Sequence, residues 1–490
     1  MEGVPAGSDV AQAEATGSTG ASPHGGIDAA GRDDLLLDAA VRARRYVEQA
    51  DLRRVGPLPE AVAGLSRFDF PFPDHGVDAG SVLELLDDAG SPATMGSTSP
   101  RYFGFVCGGV LPVALAASWL LAAWDQNAGL TALSPAAAYL DDVALRWVCD
   151  ALGLPEGTGG GFTSGATMAN AACLASARDR VLTDAGWDAL RMGLVGAPPV
   201  QLFVGEEVHA AAIKAAGLVG LGRDRAVRLP VDEQGAILAS DLPEIAAPAI
   251  VCLQAGNVNS GASDPFGPLI EWAHSAGAWV HVGGAFGLWA AASPEVAAQV
   301  AGVEAADSWA TDAHKWLNST YDCGIALVRE PQFLEAALRS EASYLPFSTA
   351  REPTLFTPQS SQRARGAEVW AVLAALGRDG LAELVSRPCR LARRFAAGLE
   401  AGGLEVLNEV VLNQVVVAFD DGADGPGFTD AVVAEVQRDG TCWCGATTWH
   451  GRRAMRVSVS NWATQDKDVD RSVAAVLAAT ERLKAGSAVG

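Results

Sequence analysis

Only four of the 35 Lys and Arg residues in this 490-residue chain are lysine, namely Lys214, Lys315, Lys467 and Lys484. Lys315 sits in Thr311-Asp-Ala-His-Lys-Trp316, bordered by Trp309 and Leu317. Apolar surroundings strip water from a lysine and favour its neutral amine, which can attack a carbonyl to form a Schiff base. A solvated surface charge is the ordinary fate of a lysine. Here the aromatic flanks, the adjacent His314 and the scarcity of lysine favour chemistry. A second cluster runs Gly159-Gly-Gly-Phe-Thr-Ser-Gly-Ala-Thr-Met-Ala-Asn170 into a helical stretch. Small residues let backbone N–H groups approach an anion at a helix N-terminus, and Ser164 and Thr167 add hydroxyls, so the cluster reads as a phosphate cup. It matches neither the G-x-G-x-x-G dinucleotide pattern, since Phe162 stands where the last glycine belongs, nor a P-loop, since no lysine follows. His209, in Glu206-Glu-Val-His209, and the run Trp279-Val-His-Val-Gly-Gly-Ala-Phe-Gly-Leu-Trp289 complete the set. A histidine at a strand-to-helix turn can stack on a flat ring, and a small residue such as Ala285 lets that ring approach backbone. Together these groups describe a site for an aromatic aldehyde phosphate.

The elements that must position them follow from periodicity. Between residues 160 and 330, short β-rich runs alternate with Ala-rich helical stretches, the pattern of a mostly parallel sheet with crossover helices. The expected strands are 201–204, 226–229, 250–254, 279–282, 308–311 and 324–328, and each polar cluster falls at a strand edge, where such sheets gather ligands. Before them, residues 33–54 and 110–124 read as helices, as does 135–152, with Ser134-Pro135 as its cap and first residue. The Pro-rich stretch 57–73 reads as an extended connector. After Arg365, helical stretches at 367–376 and 381–399, strands near 410–419 and 455–459, and a closing helix from Asp468 suggest a smaller α+β domain. The expected division is a disordered tail 1–30, a helical arm 31–109, a large domain 110–365 and a small domain 366–490.

Composition narrows the partners. With 58 Asp and Glu against 35 Lys and Arg, the net charge is −23, and such a field repels phosphate backbones and anionic lipid surfaces. The start of the chain lacks the basic and apolar segments of a secretory signal, and the apolar stretch 110–124 falls short of the ~20 residues that span a bilayer. No nucleic acid, no membrane and a cytoplasmic location are therefore expected. Eight scattered cysteines follow no disulfide framework, and Cys442-Trp-Cys444 with His450 is an incomplete zinc set, so buried thiols are expected.

The order of these motifs resembles the pyridoxal-phosphate-dependent decarboxylases of the aromatic-amino-acid and glutamate decarboxylase group. Arg101-Tyr-Phe-Gly-Phe, Ser134-Pro-Ala-Ala, Ser343-Tyr-Leu and Met455-Arg-Val-Ser-Val-Ser-Asn extend the resemblance over residues 80 to 480. It implies a fold-type I α/β enzyme, with a large domain around a mostly parallel seven-stranded sheet and a small C-terminal α+β domain, working as a homodimer. It also implies pyridoxal phosphate held as a Schiff base by Lys315, stacked on by His209, with Gly165, Ala166 and Thr167 at the phosphate. Asp312, His314, Ala285 and Asn257 fall at matching cofactor positions, Arg456 at one associated with the substrate carboxylate, and Tyr102 and Phe103 in a segment covering the substrate. Tyr344 matches the tyrosine that returns a proton to the substrate carbon.

One position departs from the family. Its pattern is His-Val-Asp, whose aspartate keeps the cofactor's ring nitrogen protonated so that the ring accepts electrons; here Gly283 stands instead. Asp264 and Asp312 are the candidate substitutes. The expected reaction is α-decarboxylation of an L-amino acid, with an aromatic or other apolar side chain favoured by the apolar lining candidates, while acidic and diamino acids remain open. The alternatives are a related carbon–carbon lyase or aldehyde synthase, and a cofactor-binding protein impaired by Gly283.

Overall fold

The computed structural model describes residues 32–340, 351–419 and 426–487. Contacts divide these into two units, residues 32–49 with 57–94, and residues 50–56 with 95 onwards. In the first, Arg42 of α1 (Arg32–Glu48) bonds Asp38 on its own helix and Asp87 in the turn, Leu86–Gly90, that follows α2 (Ala79–Leu85). Asp78 caps α2 by accepting the Ser81 N–H at 2.9 Å. The Pro-rich stretch expected to be extended instead holds a short helix, Pro59–Ala63, and a 3-10 turn, Gly64–Phe68. Pro59 starts that helix because proline's missing N–H and fixed φ suit a first turn.

The second unit carries both sheets, so the boundary expected near residue 365 is not where contacts divide the chain. Its large sheet has seven strands: β1 (Gly159–Thr163), β2 (Gln201–Gly205), β3 (Val227–Leu229), β4 (Ala249–Gln254), β5 (Trp279–Gly283), β6 (Ser308–Asp312) and β7 (Gly324–Val328). Their order is β1-β7-β6-β5-β4-β2-β3, with β3, β2, β4, β5 and β6 mutually parallel and β7 antiparallel to both its neighbours. This is the α/β fold-type I arrangement. Every expected strand is present. β1 is additional, because Gly159-Gly-Gly reads as a turn; those glycines allow backbone to close on backbone, since a Cβ at Gly160 would collide with the Ala326 carbonyl.

The sheet is buried on both faces, which explains its continuous apolar strands. One face packs on α5 (Ala166–Asp184), where Ala169, Cys173, Ala177 and Val181 meet Leu202, Val204, Ile250 and Ala326. The other carries Val251, Leu253, Val280 and Trp309 towards Trp289 and Val369. Preceding α5 are α3 (Pro112–Trp124) and α4 (Pro135–Ala151), and the Ser134 hydroxyl accepts the Ala137 N–H as the sequence predicts. The crossovers include α6 (Ala210–Leu218) and α7 (Phe266–Ser275), and α8 (Pro331–Leu338) follows β7.

A long helical stretch, α9 (Arg365–Ala401), breaks at Gly377, whose φ of +60° ends one helix and starts the next, close to the two stretches expected. It leads to an antiparallel sheet, β10-β11-β9-β8, formed by β8 (Glu405–Val406), β9 (Gln414–Ala418), β10 (Gly445–Trp449) and β11 (Arg452–Ser458). Helices α10 (Pro426–Asp439) and α11 (Asp466–Ser487) join α9 around it. Short β8 and the half-exposed β10 carry little apolar periodicity, which is why only the two core strands are legible in the sequence.

Candidate active site

The motifs converge because parallel strands all end on one side. β4, β5 and β6 finish at Gln254, Gly283 and Asp312, and the turns beyond them, with the start of α5 and the turn before α6, enclose a cavity of about 410 Å³. That volume suits a small-molecule site. Its lining includes Ser164, Gly165, Ala166, Thr167, Asn170 and His209, with Gly283, Ala285, Asp312, His314, Lys315 and Arg456.

Lys315 Nζ lies 3.1 Å from Asp312 Oδ2, and the other oxygen of that carboxylate accepts the Ala166 N–H at 2.6 Å. Asp312 thus joins the lysine to the cup at the start of α5. Gly165, which precedes that helix, provides no side-chain cap and has a φ of +141°, a conformation that suits glycine; a Cβ at Gly324 would run into its backbone. A helix N-terminus carrying a carboxylate is a place that takes an anion.

His209 closes β2 onto α6: its Nδ1 accepts the Ala211 N–H at 3.1 Å, so the remaining proton of the neutral ring is on Nε2. Desolvation, then the positive charges of Lys315 and Arg456, push its pKa below the ordinary value. His314 is also pushed down, chiefly by desolvation; its Nδ1 accepts the Cys323 N–H at 3.0 Å and its ring packs 4.4 Å from Tyr321. Both imidazoles are therefore neutral near pH 7. Arg456 donates to the Val258 carbonyl at 3.2 Å, pairs with no carboxylate among the described residues, and is pushed down by desolvation. An under-compensated guanidinium at a cavity wall suits an incoming anion.

Beneath Gly283 lies a buried polar chain. Trp279 Nε1 donates to Ser308 Oγ at 2.9 Å, Ser308 bonds His281 Nδ1 at 2.9 Å, and His281 Nε2 bonds Asn170 Oδ1 at 2.8 Å. Because an indole only donates, Ser308 accepts from it and donates to the imidazole, leaving His281 Nε2–H to donate to Asn170. Burial pushes His281 down to about 3.

Several sequence candidates sit elsewhere. Phe103 is in the core around the small sheet, 5.3 Å from Phe395 and edge-on, and Tyr102 stacks on Trp443 at 5.2 Å; neither lines the cavity. The lining residues of that segment are Phe105 and Val106, two positions further on. The Arg101-Tyr-Phe-Gly-Phe motif contains Phe105, but without a strand or helix period nothing in it tells which ring faces inward. Asn257 is buried in a turn, its Oδ1 accepting the Asn259 and Ser260 N–H groups, and does not line the cavity. Asp264 is spent on the Ile237 and Gln254 N–H groups, so of the two candidate substitutes for the missing acid only Asp312 is at the cavity. Tyr344 lies outside the described residues. Asn170 and His281 were missed as a pair, because i and i+111 carry no sequence period. Cys442 and Cys444 are buried free thiols, and among the described residues no cluster of His, Cys, Asp and Glu could hold a metal.

With this geometry in hand, the fold and site define a fold-type I enzyme of the pyridoxal-phosphate class. Residues 66–420 match the pyridoxal-dependent decarboxylase conserved domain, and the chain belongs to that family. It is 29% identical over 346 residues to tyrosine decarboxylase 2 of Arabidopsis thaliana, covering 64% of this chain and 61% of that one, and so spans about three fifths of that relative. It is 29% identical over 349 residues to the phenylacetaldehyde synthase of the same plant, covering 66% and 70%. Among solved structures, Oryza sativa TDC with PLP and tryptamine superposes with a TM-score of 0.85 over 94% of this chain and 99% of that one, at 21% identity, a likeness of fold.

The residues present fit pyridoxal phosphate on their own chemistry. An N–H that donates to an anion at Ala166, an amine at Lys315 and a flat ring at His209 face one cavity whose Gly283 and Ala285 wall has almost no side chain.

Proposed function

We propose that this chain catalyses α-decarboxylation of an L-amino acid to its amine with pyridoxal phosphate, Lys315 holding the cofactor. The observation that carries the reading is the single cavity joining the α5 anion site, Lys315, His209 and Arg456. Gly165, Ala166 and Thr167 hold the phosphate, His209 lies against the ring, and Ala285 lets the ring approach backbone. When bound, the cofactor supplies an aldehyde for the amine and an electron-withdrawing ring for the pair released from the Cα–carboxylate bond.

The chain's own groups do the rest. Asp312 holds the Lys315 amine in place and gives its charge a partner until the amine is needed as a nucleophile. Arg456 draws the substrate carboxylate to the cavity wall and orients it, which converts remote binding energy into alignment of the bond to be broken. His209 and His314, neutral near pH 7, add no charge repelling the incoming ammonium. The Tyr344 phenol returns a proton to Cα. Gly283 leaves the ring nitrogen without the family's acid, which weakens the electron sink and slows the reaction.

A homodimer is supported by the apolar face that this chain leaves exposed on and beside α3 and α4: Trp119, Leu120, Trp124, Leu133 and Tyr139. Eight free cysteines support a reducing, cytoplasmic location. Among the described residues no helix is long and apolar enough to cross a membrane. A second reading, aldehyde formation, is favoured by the match to a phenylacetaldehyde synthase.

The test is the visible spectrum of the purified protein with pyridoxal phosphate, before and after borohydride, followed by peptide mapping and an amino-acid panel assayed for carbon dioxide, amine and aldehyde. A reduced adduct on Lys315 with amine released supports the proposal. An adduct elsewhere, or none on a folded protein, overturns it.

A further inference from the structure

The cavity wall contributed by the 101–111 segment is pinned from two sides. On one side the Phe103 N–H donates to the Trp443 carbonyl at 2.9 Å, the Trp443 N–H to the Arg101 carbonyl at 3.1 Å, and the Ser458 N–H to the Phe103 carbonyl at 2.9 Å. On the other, a Cβ at Gly108 would collide with the Lys315 carbonyl, and the Leu111 N–H donates to the Asn318 carbonyl at 2.9 Å. Between these anchors Phe105 and Val106 take φ values of +53° and +60°. Consecutive left-handed residues, one of them β-branched, persist only where their surroundings dictate them, and such strain gathers at functional sites.

What dictates it here is aromatic. The Phe105 ring lies 5.3 Å from that of Trp443 at 33°, and Trp443 stacks on Tyr102 at 5.2 Å and 14°. Residue 104 is glycine because a Cβ there would run into the Trp443 ring. Phe105 is 63% exposed while lining the cavity, so its ring is not there to fill the core.

We propose that Trp443 is a specificity-determining positioning residue. Stacked on Tyr102, it holds Phe105 as an aromatic platform at the cavity, which selects L-amino acids with flat aromatic side chains over aliphatic and acidic ones. The inference rests on the decarboxylase reading above and names the substrate class of that same site. Stacked or edge-on ring pairs gain attraction beyond buried area, which an alkyl chain does not share.

The test uses the full chain loaded with pyridoxal phosphate, as wild type, Trp443→Leu and Trp443→Phe, with L-tyrosine, L-tryptophan, L-leucine and L-glutamate. Trp443→Leu should lose about tenfold in kcat/KM for the two aromatic substrates, mostly through KM, with L-leucine changed about twofold or less, the upper range of a lost ring pair. Trp443→Phe, which keeps a ring behind Phe105, should recover most of the loss. Calorimetric binding of 3-phenylpropionate and hexanoate to the same loaded proteins gives a readout that needs no turnover, with the aromatic acid preferred by wild type and not by Trp443→Leu. A uniform loss across the panel, equal binding of both acids by wild type, or no recovery in Trp443→Phe would overturn the proposal. Should wild type load cofactor yet turn over no amino acid, the decarboxylase reading fails, while the two acids still decide the platform. Should Trp443→Leu not fold, Phe105→Leu carries the same comparison.

Discussion

Asp312→Asn isolates the most consequential contact in the cavity. Its carboxylate spans the Ala166 N–H, at 2.6 Å, and Lys315 Nζ, at 3.1 Å, so it occupies the anion place at the start of α5 that a phosphate needs. A phosphate arriving there meets a like charge. At a separation of about 4 Å and an effective dielectric near 20, each pair of unit charges costs about 4 kcal/mol. The cheaper course is for the carboxylate to leave the N–H, giving up a charged hydrogen bond of about 1.5–3 kcal/mol. Asparagine keeps a neutral acceptor of the same shape, whose bond is about 1 kcal/mol weaker, and brings no repulsion. The substitution should therefore tighten pyridoxal phosphate by about tenfold. Removing the partner of Lys315 also alters the covalent step, but that step is common to pyridoxal, which has no phosphate. The assay is titration of each aldehyde into apo protein, followed by visible absorbance, and the quantity read is the ratio of the two dissociation constants. In Asp312→Asn the preference for pyridoxal phosphate over pyridoxal should rise about tenfold. A ratio unchanged within about twofold, with both proteins folded, would refute the argument that Asp312 competes with phosphate.

Three further outcomes follow from the same geometry. Lys315→Ala should leave no borohydride-fixed cofactor on the protein, checked by mass spectrometry after reduction; retained adduct at another residue would remove Lys315 from its role. Gly283→Asp should fit, because a Cβ there meets only Asn170 Oδ1 at 3.5 Å and the Leu253 carbonyl at 3.8 Å, and an acid beside the ring nitrogen should raise its pKa by about one unit or more. Carbon dioxide release at matched cofactor loading should then rise about tenfold, and no gain at full loading would show that Gly283 is not limiting. His281 is neutral in the fold, pushed down to about 3 from an ordinary 6.5, so below pH 6.5 the unfolded chain binds a proton that the native state does not. Its contribution to stability is complete above that pH and falls by about 1.4 kcal/mol per unit towards pH 3. Urea midpoints at pH 5 and 7 should differ less in His281→Gln than in wild type, and an unchanged difference would argue against a neutral buried imidazole.

The large sheet was legible because its strands are buried on both faces and so written as unbroken apolar runs, as in Ile250-Val-Cys-Leu. Lys315 and His209 were legible because each closely follows an expected strand, where chain direction alone brings loops together, and the cup because its small and hydroxyl residues run into a helix. Legibility stopped where contact depends on distant backbone. β1 is a strand made of glycines because Ala326 and Phe356 lie against it, a reason invisible from residues 159–161 themselves. Asn257 was placed by a turn whose N–H groups its side-chain oxygen accepts, not by the cavity.

The 101–106 segment shows most sharply why side-chain facing resists a sequence reading there. In a strand, alternation would have turned Phe103 and Phe105 to the same side. The left-handed pair at Phe105 and Val106 breaks that alternation, sending Phe103 into the small-sheet core against Phe395 and Phe105 to the cavity edge against Trp443. Neither ring's place could be read without Trp443, which is some 340 residues away in sequence yet bonds the backbone of this segment on both sides of Tyr102. On the proposal above, side-chain selectivity at this cavity depends on the small-sheet region as well as on the strand ends that line it. Substitutions in the turn at residues 441–444 should change which amino acid is used before they change whether pyridoxal phosphate binds.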